Sequence, residues 1–369
     1  MRIERIEVFQ VRLPFTAPFR TSFGDTLEQL SIVVKMQSDG AVGWGEADPL
    51  FAPIYSSEMS STAFLVLQEV LAPAVIGRDF SNADELNAAM SFVRGNQFAK
   101  SAIETAFWCM CANAAGKPLH QILGGKRDKV VAGVSIGLQD SPEALVEEAR
   151  RFLTHGYQRV KIKVKPGKDI AYARAVREAF PDIPLMVDAN SAYTLDDVEH
   201  LRQLDEFNLI MIEQPLAYDD IVDHARLQAQ IETPICLDES IHTPADARKA
   251  VELRSGKIIN IKIGRVGGFA NAIAVHDICQ AAGWPVWVGG MMDLGLGQAL
   301  KIEFATLPNV SLANDIPPSN RFYAEDIVEP AVTLNPDGTH DISSGPGIGR
   351  QVKEAFIRAH TVQQFESRA

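Results

Sequence analysis

Cysteine is scarce in this sequence, and long apolar segments are missing. The four cysteines, at 109, 111, 236 and 279 of 369 residues, show no repeated pairing. We therefore expect reduced, mostly buried thiols rather than a disulfide framework or a zinc site. No run approaches the roughly 20 apolar residues that a membrane-spanning helix needs. The N-terminal residues 1–5 contain no apolar signal core, so we expect a cytoplasmic protein.

Positive charge is also in short supply. There are 35 Lys and Arg residues against 47 Asp and Glu residues, for a net charge of −12. This balance argues against nucleic acid or an anionic membrane as a partner and favours a small-molecule substrate. The eight histidines show no metal-ligand spacing, which excludes the common histidine-based zinc motifs.

The strongest pattern is a charged residue that recurs at the end of successive apolar runs. These residues are Lys163, Asp188, Glu213, Asp238 and Lys262, at spacings of 25, 25, 25 and 24 residues. A strand, a helix and two loops need about that many residues. The C-terminal ends of the strands in a (β/α)8 barrel form the rim of the active site, so the spacing predicts five charges on one rim.

The three acids of this series, Asp188, Glu213 and Asp238, would raise one another's pKa if they converged without a cation. A divalent metal removes that conflict. Oxygen ligands without His or Cys favour Mg²⁺, with Mn²⁺ as an alternative. A single acid after a strand is often a helix N-cap, but capping does not explain the shared spacing.

The two lysines of the series are four strands apart, which places them on opposite walls of an eight-stranded barrel. This arrangement predicts that Lys163 or Lys262 removes the α-proton of a carboxylate substrate. The other lysine would return a proton to the opposite face or stabilise the intermediate. Lys161 shares the face of Lys163, and we expect its charge to lower the pKa of Lys163. The simpler explanation, an exposed edge strand, does not fit a barrel strand.

Three further polar residues lie near these strand ends. Asn190 shares the face of Asp188 and is a candidate substrate contact. Glu239 is either a partner of a lysine or a structural residue, and Asp293 is either a helix cap or a pocket residue. The sequence leaves both choices open.

The pattern before and after the charged series predicts the domain organisation. Residues 1–125 predict an α+β domain, because strand-like alternation up to about residue 46 is followed by helical periodicity. The segments near 15–24 and 48–57 carry apolar rings, and we interpret them as lid loops.

The remaining residues predict a barrel and a returning tail. Residues 126–318 alternate eight strands with seven helices, the first strand at 130–136 and the last at 310–312. Residues 319–369 are richer in turn residues than in helical periodicity, and we expect them to pack back on the first domain.

These motifs resemble the enolase superfamily, in its muconate-lactonising-enzyme subgroup. Within that subgroup the similarity is greatest to the o-succinylbenzoate synthase / N-succinylamino acid racemase family. The motifs that carry the resemblance are residues 18–24, 55–58, 161–163, 188–190, 213–215, 237–240, 262–268 and 289–291.

The resemblance implies an α/β fold, a modified TIM barrel of (β/α)7β type with an α+β capping domain built from both ends of the chain. It implies Asp188, Glu213 and Asp238 as Mg²⁺ ligands, and Lys163 and Lys262 as the acid/base pair. The substrate contacts that it implies are Phe19, Phe23, Leu50, Ser135, Met291 and Met292. Because members are often dimers or octamers, it also implies a homo-oligomer.

The expected product depends on which lysine acts. Two lysines working from opposite faces give the epimer, whereas Lys163 acting in both steps gives a β-eliminated aromatic acid. Racemase activity, o-succinylbenzoate synthase activity or both are therefore expected. Cycloisomerisation of a muconate is an alternative, and a non-catalytic barrel that binds a metal-chelated carboxylate is another.

Overall fold

A computed structural model describes residues 1–21 and 24–369 of the chain. The strands are β1 (Arg5–Thr21), β2 (Gly24–Ser38), β3 (Ala41–Ala47), β4 (Lys129–Val131), β5 (Val134–Ile136), β6 (Val160–Lys163), β7 (Leu185–Asp188), β8 (Met211–Glu213), β9 (Ile235–Leu237), β10 (Ile258–Ile261), β11 (Val286–Val288), β12 (Val328–Glu329), β13 (Thr339–Asp341), β14 (Gln351–Val352) and β15 (Thr361–Arg368).

Helices precede the parallel strands in the chain and then alternate with them. They are α1 (Ser60–Val66), α2 (Ala72–Val75), α3 (Ala83–Met90), α4 (Gln97–Ala114), α5 (Leu119–Leu123), α6 (Pro142–Leu153), α7 (Ile170–Ala179), α8 (Val198–Leu201), α9 (Val222–Gln228), α10 (Pro244–Leu253), α11 (Ile263–Val266), α12 (Phe269–Ala282), α13 (Gly295–Phe304) and α14 (Glu354–Ala359). The segment Leu67–Leu71 is a π-helix, and 3₁₀ turns lie at Leu195–Asp197, Arg202–Phe207 and Ser319–Arg321.

The N-terminal strands form an antiparallel sheet in the order β15-β1-β2-β3. Pairing of β15 along β1 ties the end of the chain to its beginning. The expectation of an irregular loop over 15–24 is wrong for the described part of that segment. β1 continues to Thr21, and Phe19 pairs with Thr26 of β2 beyond a bulge, so residues 15–21 belong to a strand that is paired with β2.

Two glycines of β3 allow α4 to pack closely on this sheet. A Cβ at Gly43 would lie 2.0 Å from the carbonyl oxygen of Ala106, and one at Gly45 would lie 2.3 Å from that of Ala102. Glu58 caps α4 by accepting hydrogen bonds from the backbone N–H groups of Phe98 and Ala99. The loop that ends at Glu58 is thereby held against the sheet and helix.

The second layer of structure is a parallel sheet in the order β11-β10-β9-β8-β7-β6-β5. The segment around residues 310–314 lies between its two ends, because Val310 bridges to Val286 and Asn314 bridges to Ala132, both in parallel. The ring of strands is closed in this way. The interior below the rim is filled by Met186, Met211, Cys236, Ile258 and Trp287.

The predicted first barrel strand, 130–136, is divided in the structure. β4 pairs antiparallel with β13, and only β5 joins the parallel sheet. The break lies at Gly133, where a Cβ would come within 2.4–2.7 Å of the Arg159 guanidinium group. The buried arginine therefore occupies the space that a regular strand residue would need.

Contacts between α4 and the barrel join the two layers. The carboxylate of Glu104 accepts hydrogen bonds from the backbone N–H groups of Phe269 (2.7 Å) and Ala270 (2.8 Å) at the start of α12. Glu104 is thus a hydrogen-bonded structural carboxylate. None of the helices within residues 1–21 and 24–369 has both the length and the apolar character to cross a bilayer.

Candidate active site

The five charged residues of the spacing pattern lie at the C-terminal ends of consecutive parallel strands. Lys163, Asp188 and Glu213 are the last residues of β6, β7 and β8, and they are paired in register across the sheet. Asp238 and Lys262 directly follow β9 and β10. The structure therefore brings all five side chains to one rim.

Lys161 lies one layer below this rim and is fully engaged by carboxylates. Its Nζ lies 2.6 Å from Asp315 Oδ2, 3.0 Å from Glu213 Oε2 and 3.4 Å from Asp188 Oδ2. Burial alone would lower the pKa of Lys161, but these three acids outweigh it and raise the pKa well above its usual range. Lys161 is a fixed positive charge beneath the acids.

Lys163 is bound to the next strand along the rim. Its Nζ donates hydrogen bonds of 2.6 Å to Asp188 Oδ2 and to Asn190 Oδ1. Asn190 adopts a left-handed conformation, with φ of 42°, which is uncommon for a residue other than glycine. Its amide also donates to Glu239 Oε1 at 3.0 Å. Asn190 thus connects Lys163 to a second carboxylate.

Lys262 has a more enclosed environment on the opposite wall. Its Nζ donates to Asp238 Oδ2 and to Tyr55 Oη, both at 2.8 Å. Arg265 also donates to Tyr55 Oη, at 2.8 Å, and to Asp238 Oδ1. Burial would lower the pKa of Lys262, but Asp238 and Tyr55 raise it well above its usual range. The Tyr55 loop of the N-terminal region therefore reaches directly into the barrel rim.

The acids of the rim affect one another electrostatically. Burial, followed by the charges of Asp188 and Asp238, raises the pKa of Glu213 to about 8. Burial and the same two aspartates raise the pKa of Glu239 to about 7. Burial also opposes ionisation of Asp238, but Arg265 and Lys262 hold its pKa well below the usual range. Burial and mutual repulsion therefore oppose ionisation of Glu213 and Glu239, whereas Asp238 is held in its charged form by its cationic partners.

The predicted metal centre is not preformed. Within the part of the chain that the structure describes, no three His, Cys, Asp or Glu side chains are arranged to hold a metal ion. The reason lies in the contacts above, since lysine and arginine side chains occupy oxygens of Asp188, Glu213 and Asp238. The residues still suit a hard divalent cation, because all the donors are oxygens and Glu239 Oε2 is buried without a hydrogen-bond partner. The ligand set stays a prediction.

A cavity of about 130 Å³ opens onto the rim. Its lining includes both lysines of the acid/base prediction together with Asp188 and Asn190. Four predicted substrate contacts also line it, namely Leu50, Ser135, Met291 and Met292. Phe51, Ile54 and Tyr55 add part of the lining from the 48–57 loop, which therefore borders the cavity.

Three predicted contacts do not join this group. Phe23 lies outside the described residues, and the side chain of Phe19 is likewise not described. Asp293 lies in a separate small cavity, where its Oδ2 accepts from Lys301 Nζ at 2.5 Å and from the backbone N–H of Met291 at 3.0 Å. Asp293 thus shapes the Met291 loop and does not line the main cavity.

Several residues of the site were missed from the sequence. Asp315 follows the last barrel segment, so an acid shortly after an apolar run was a signal that could have revealed it. Its carboxylate joins Lys161 to Arg159, whose Nη2 lies 2.6 Å from Asp315 Oδ1. The pairing of Tyr55 with Lys262, across 207 positions in the chain, left no local signal.

Comparison with known proteins gives the family. Residues 4–124 match the family model described as mandelate racemase / muconate lactonizing enzyme, N-terminal domain. Residues 144–356 match the model described as enolase C-terminal domain-like. The second match alone spans more than half of the chain.

Individual relatives agree with this assignment. The chain is 44% identical to an o-succinylbenzoate synthase of Geobacillus stearothermophilus, over 98% of this chain and 96% of that protein. It is 43% identical to an N-succinylamino acid racemase of Thermus thermophilus, over 99% and 98% of the two chains. Among solved structures, an enolase-superfamily member from Listeria innocua superimposes with a TM-score of 0.96 at 37% identity, covering 100% of this chain and 99% of that one.

The matched domains and the rim geometry lead to the same conclusion. Members of this family are enzymes that act on small molecules and use a divalent metal, and proton abstraction is characteristic of them. The chain belongs to the enolase superfamily, with the N-terminal domain of the mandelate racemase / muconate lactonizing enzyme group.

Proposed function

We propose that this enzyme removes the α-proton of N-succinyl and other N-acyl amino acids and returns it to either face, acting as a racemase. The observation that carries the proposal is the placement of Lys163 and Lys262 on one cavity, at the ends of strands four apart in the ring. The relative named N-succinylamino acid racemase supports this choice of substrate.

The relative named o-succinylbenzoate synthase supports a second activity in the same site. Its chemistry would start with the same proton abstraction and end with loss of water rather than reprotonation. Lys163 would serve in both steps, because it is the less enclosed of the two lysines, and its ammonium group could deliver a proton to the departing hydroxyl.

We assign Asp188, Glu213 and Asp238 as ligands of a divalent metal, Mg²⁺ in preference to Mn²⁺. The raised pKa of Glu213 and the oxygen-only donor set support this assignment. When bound, the ion would withdraw negative charge from the substrate carboxylate and so acidify the α-carbon. It would also take over carboxylate oxygens that now accept from lysines.

The lysines would then exchange the proton. A neutral lysine Nζ takes the α-proton, and the electron pair of the C–H bond moves into the carboxylate to form an enolate. The protonated lysine on the opposite wall donates to the other face of the same carbon, which completes inversion. Lys161, held by Asp315, would keep a fixed positive charge near the developing negative charge.

We also propose a role for each region of the chain. Residues 1–125 and 319–369 would form the capping domain, and 126–318 the catalytic barrel. The segments near 15–24 and 48–57 would act as lids over the substrate, with Phe19 and Phe23 facing its side chain. The contact of Tyr55 with Lys262 supports a capping role for the second lid.

We further propose that the enzyme works in the cytoplasm as a homo-oligomer. All four cysteines are free, in keeping with a reducing compartment. Exposed side chains of Leu65 and Phe92, at 56% and 63% of their surface, offer apolar area for subunit contact. Light scattering of the purified enzyme tests the oligomer.

The deciding experiment is ¹H NMR in D₂O with Mg²⁺ and a panel of N-succinyl and N-acetyl amino acids. Loss of the α-proton signal, with inversion followed by polarimetry, is the expected result. Absence of exchange on the whole panel would contradict the racemase proposal. A parallel assay for o-succinylbenzoate formation tests the second activity.

A further inference from the structure

One cation on the cavity wall has no part in the lysine–carboxylate network. Arg321 ends the 3₁₀ turn Ser319–Arg321 and lines the same cavity as Lys163 and Lys262. Its Nη2 donates a hydrogen bond of 2.8 Å to the carbonyl oxygen of Ser135, at the end of β5. Its Nη1 is buried and has no hydrogen-bond partner.

The guanidinium group of Arg321 is held in place mainly by aromatic rings. Its central carbon lies 4.4 Å from the ring centroid of Phe152 and 5.5 Å from that of Phe322. Cation–π contacts of this kind orient a guanidinium group without neutralising it. One nitrogen is therefore fixed by Ser135, and the other is left as a directed donor.

No carboxylate of the described residues lies within ion-pair distance of Arg321. Asp315, one of the acids whose charge acts on Arg321, already forms ion pairs with Arg159 and Lys161, each at 2.6 Å. Glu148 is held by Arg151, with contacts of 2.5 and 2.9 Å. Burial lowers the pKa of Arg321, and the neighbouring Tyr157 hydroxyl, which also hydrogen-bonds to the guanidinium group, is the polar group that offsets this most. A buried guanidinium group without an anion is unfavourable.

The position of Arg321 relates it to the reacting centre. Ser135, whose carbonyl group it binds, is paired in register with Lys161 on the neighbouring strand, and Lys163 lies two residues further along. Arg321 therefore lies beside the Lys163 wall of the cavity, within reach of a substrate whose α-carbon lies between the lysines. Such a substrate would meet an unpaired positive charge at its far end.

We propose that Arg321 binds a second carboxylate of the substrate, carried on a short acyl arm, and so selects dicarboxylates. The inference rests on the proposed function for the position of the first carboxylate, at the metal. A guanidinium group suits this task because two of its N–H groups can meet a carboxylate in one plane. A neutral N-acyl group would leave Nη1 unpaired in the closed complex.

The test compares two substrates that differ only at the far end, N-succinyl-L-phenylalanine and its terminal amide, N-succinamoyl-L-phenylalanine. The kcat/KM for α-proton exchange is measured for the native enzyme, Arg321→Met, Arg321→Lys and Arg151→Met. Methionine retains an apolar side chain over Phe152. Lysine retains the positive charge but lacks the paired N–H groups of a guanidinium group. Arg151 is a matched control, because it is a nearby arginine that already has a carboxylate partner.

We expect the native enzyme to favour the dicarboxylate and Arg321→Met to lose about 10- to 100-fold of that preference, chiefly through KM. Arg321→Lys should recover part of the preference, and Arg151→Met should keep all of it. Equal losses on both substrates in Arg321→Met would mean that the arginine only supports Ser135, and would overturn the proposal. Thermal unfolding of each variant identifies one that fails to fold, in which case Arg321→Lys alone decides.

Calorimetry separates this inference from the proposed function. N-succinylglycine and N-butyrylglycine are titrated into the native enzyme and into Arg321→Met with Mg²⁺ present. Tighter binding of the succinyl compound that depends on Arg321, without exchange on any amino acid, would refute racemisation and support the carboxylate site. No difference between the two ligands in the native enzyme would overturn the carboxylate site, whether or not exchange occurs.

Discussion

Two groups of buried or half-buried acids lie in this enzyme, and they are stabilised in different ways. The strand-end cluster consists of Asp188, Glu213, Asp238 and Glu239, and the junction cluster of Glu46, Asp48 and Asp293. The first lies on the barrel rim, and the second lies between β3 and the loop that follows β11. Both contain carboxylates whose pKa values are raised by burial.

The strand-end cluster is neutralised by charged side chains, chiefly those of Lys161, Lys163, Lys262 and Arg265. The junction cluster relies on fixed donors. Glu46 accepts from the backbone N–H groups of Leu294 and Gly297, both at 2.6 Å, and Ser31 donates to both Glu46 and Asp48. Lys301 forms an ion pair with Asp293 there.

This difference indicates what each cluster can do. An ammonium group can move, give up a proton or make way for a metal ion, so the strand-end cluster is suited to chemistry. A backbone N–H group can do none of these, so the junction cluster holds one loop against one strand. Burial and raised pKa values alone do not distinguish the two, whereas the nature of the partners does.

Substitution of either lysine of the strand-end cluster should reduce activity more than any other change. Lys163→Ala and Lys262→Ala should each lower racemisation by about 10³-fold or more, because each removes the base for one face. Each variant should still exchange the α-proton of the one enantiomer that faces its remaining lysine. The measurement is ¹H NMR in D₂O with separate enantiomers.

Lys165→Ala is the matched control for these variants. Lys165 is exposed and lies two residues beyond Lys163, outside β6. We expect its rate to stay within about 2-fold of native, as for surface substitutions in general. Retained racemisation in Lys163→Ala would refute the two-base mechanism.

The next prediction compares the Mg²⁺ affinity of two variants, one with a substitution in each cluster. Glu213→Gln should weaken Mg²⁺ binding by about 100-fold or more, because it removes a proposed ligand, whereas Glu46→Gln should leave the affinity unchanged. Calorimetric titration of Mg²⁺ into both proteins makes the comparison. Equal affinities for the two variants would show that the strand-end acids do not form the metal site.

A smaller effect concerns the stability of the junction. Glu46→Ala leaves the buried N–H groups of Leu294 and Gly297 without an acceptor, which should lower the free energy of unfolding by about 2–4 kcal/mol. Urea denaturation measures this loss. Glu354→Ala removes a partly exposed carboxylate on α14 and serves as the control, with an expected change below about 1 kcal/mol.

The smallest effect is a pH dependence of the junction cluster. Burial and the charge of Asp293 raise the pKa of Asp48 to about 7. The folded state therefore binds a proton that the unfolded state has lost, between about pH 4 and pH 7. Stability should fall as the pH rises through this window, by an amount of about 1–3 kcal/mol.

Asp48→Asn isolates this contribution. The amide keeps an acceptor for Ser31 and Gln29 but does not ionise, so the variant should gain stability relative to native enzyme as the pH rises from 4 to 8. Thermal unfolding at several pH values measures the difference. A difference that does not change with pH would show that Asp48 is ionised throughout the range.

Much of the rim could be predicted because the repeated β/α unit places charged residues at a regular interval in the sequence. One side chain per β/α unit at the same height gives the interval of about 25 residues, from Lys163 to Lys262. The apolar runs also predict the parallel strands β6 to β11. The predicted last strand, 310–312, is not a regular strand in the structure, because Val310 makes only an isolated bridge to Val286. The break at Gly133 was not found, because it depends on the distant side chain of Arg159.

The barrel, the order of its strands and the five charges on its rim follow from local periodicity, so the amino-acid pattern is enough to predict them. The pairing of those charges depends on the folded arrangement of distant segments. Tyr55 reaches Lys262 from another layer, Asp315 holds Lys161, and Arg321 is left with an unpaired nitrogen. Such pairings join residues far apart in the chain, and electrostatic energy depends on distance in space rather than on separation in sequence.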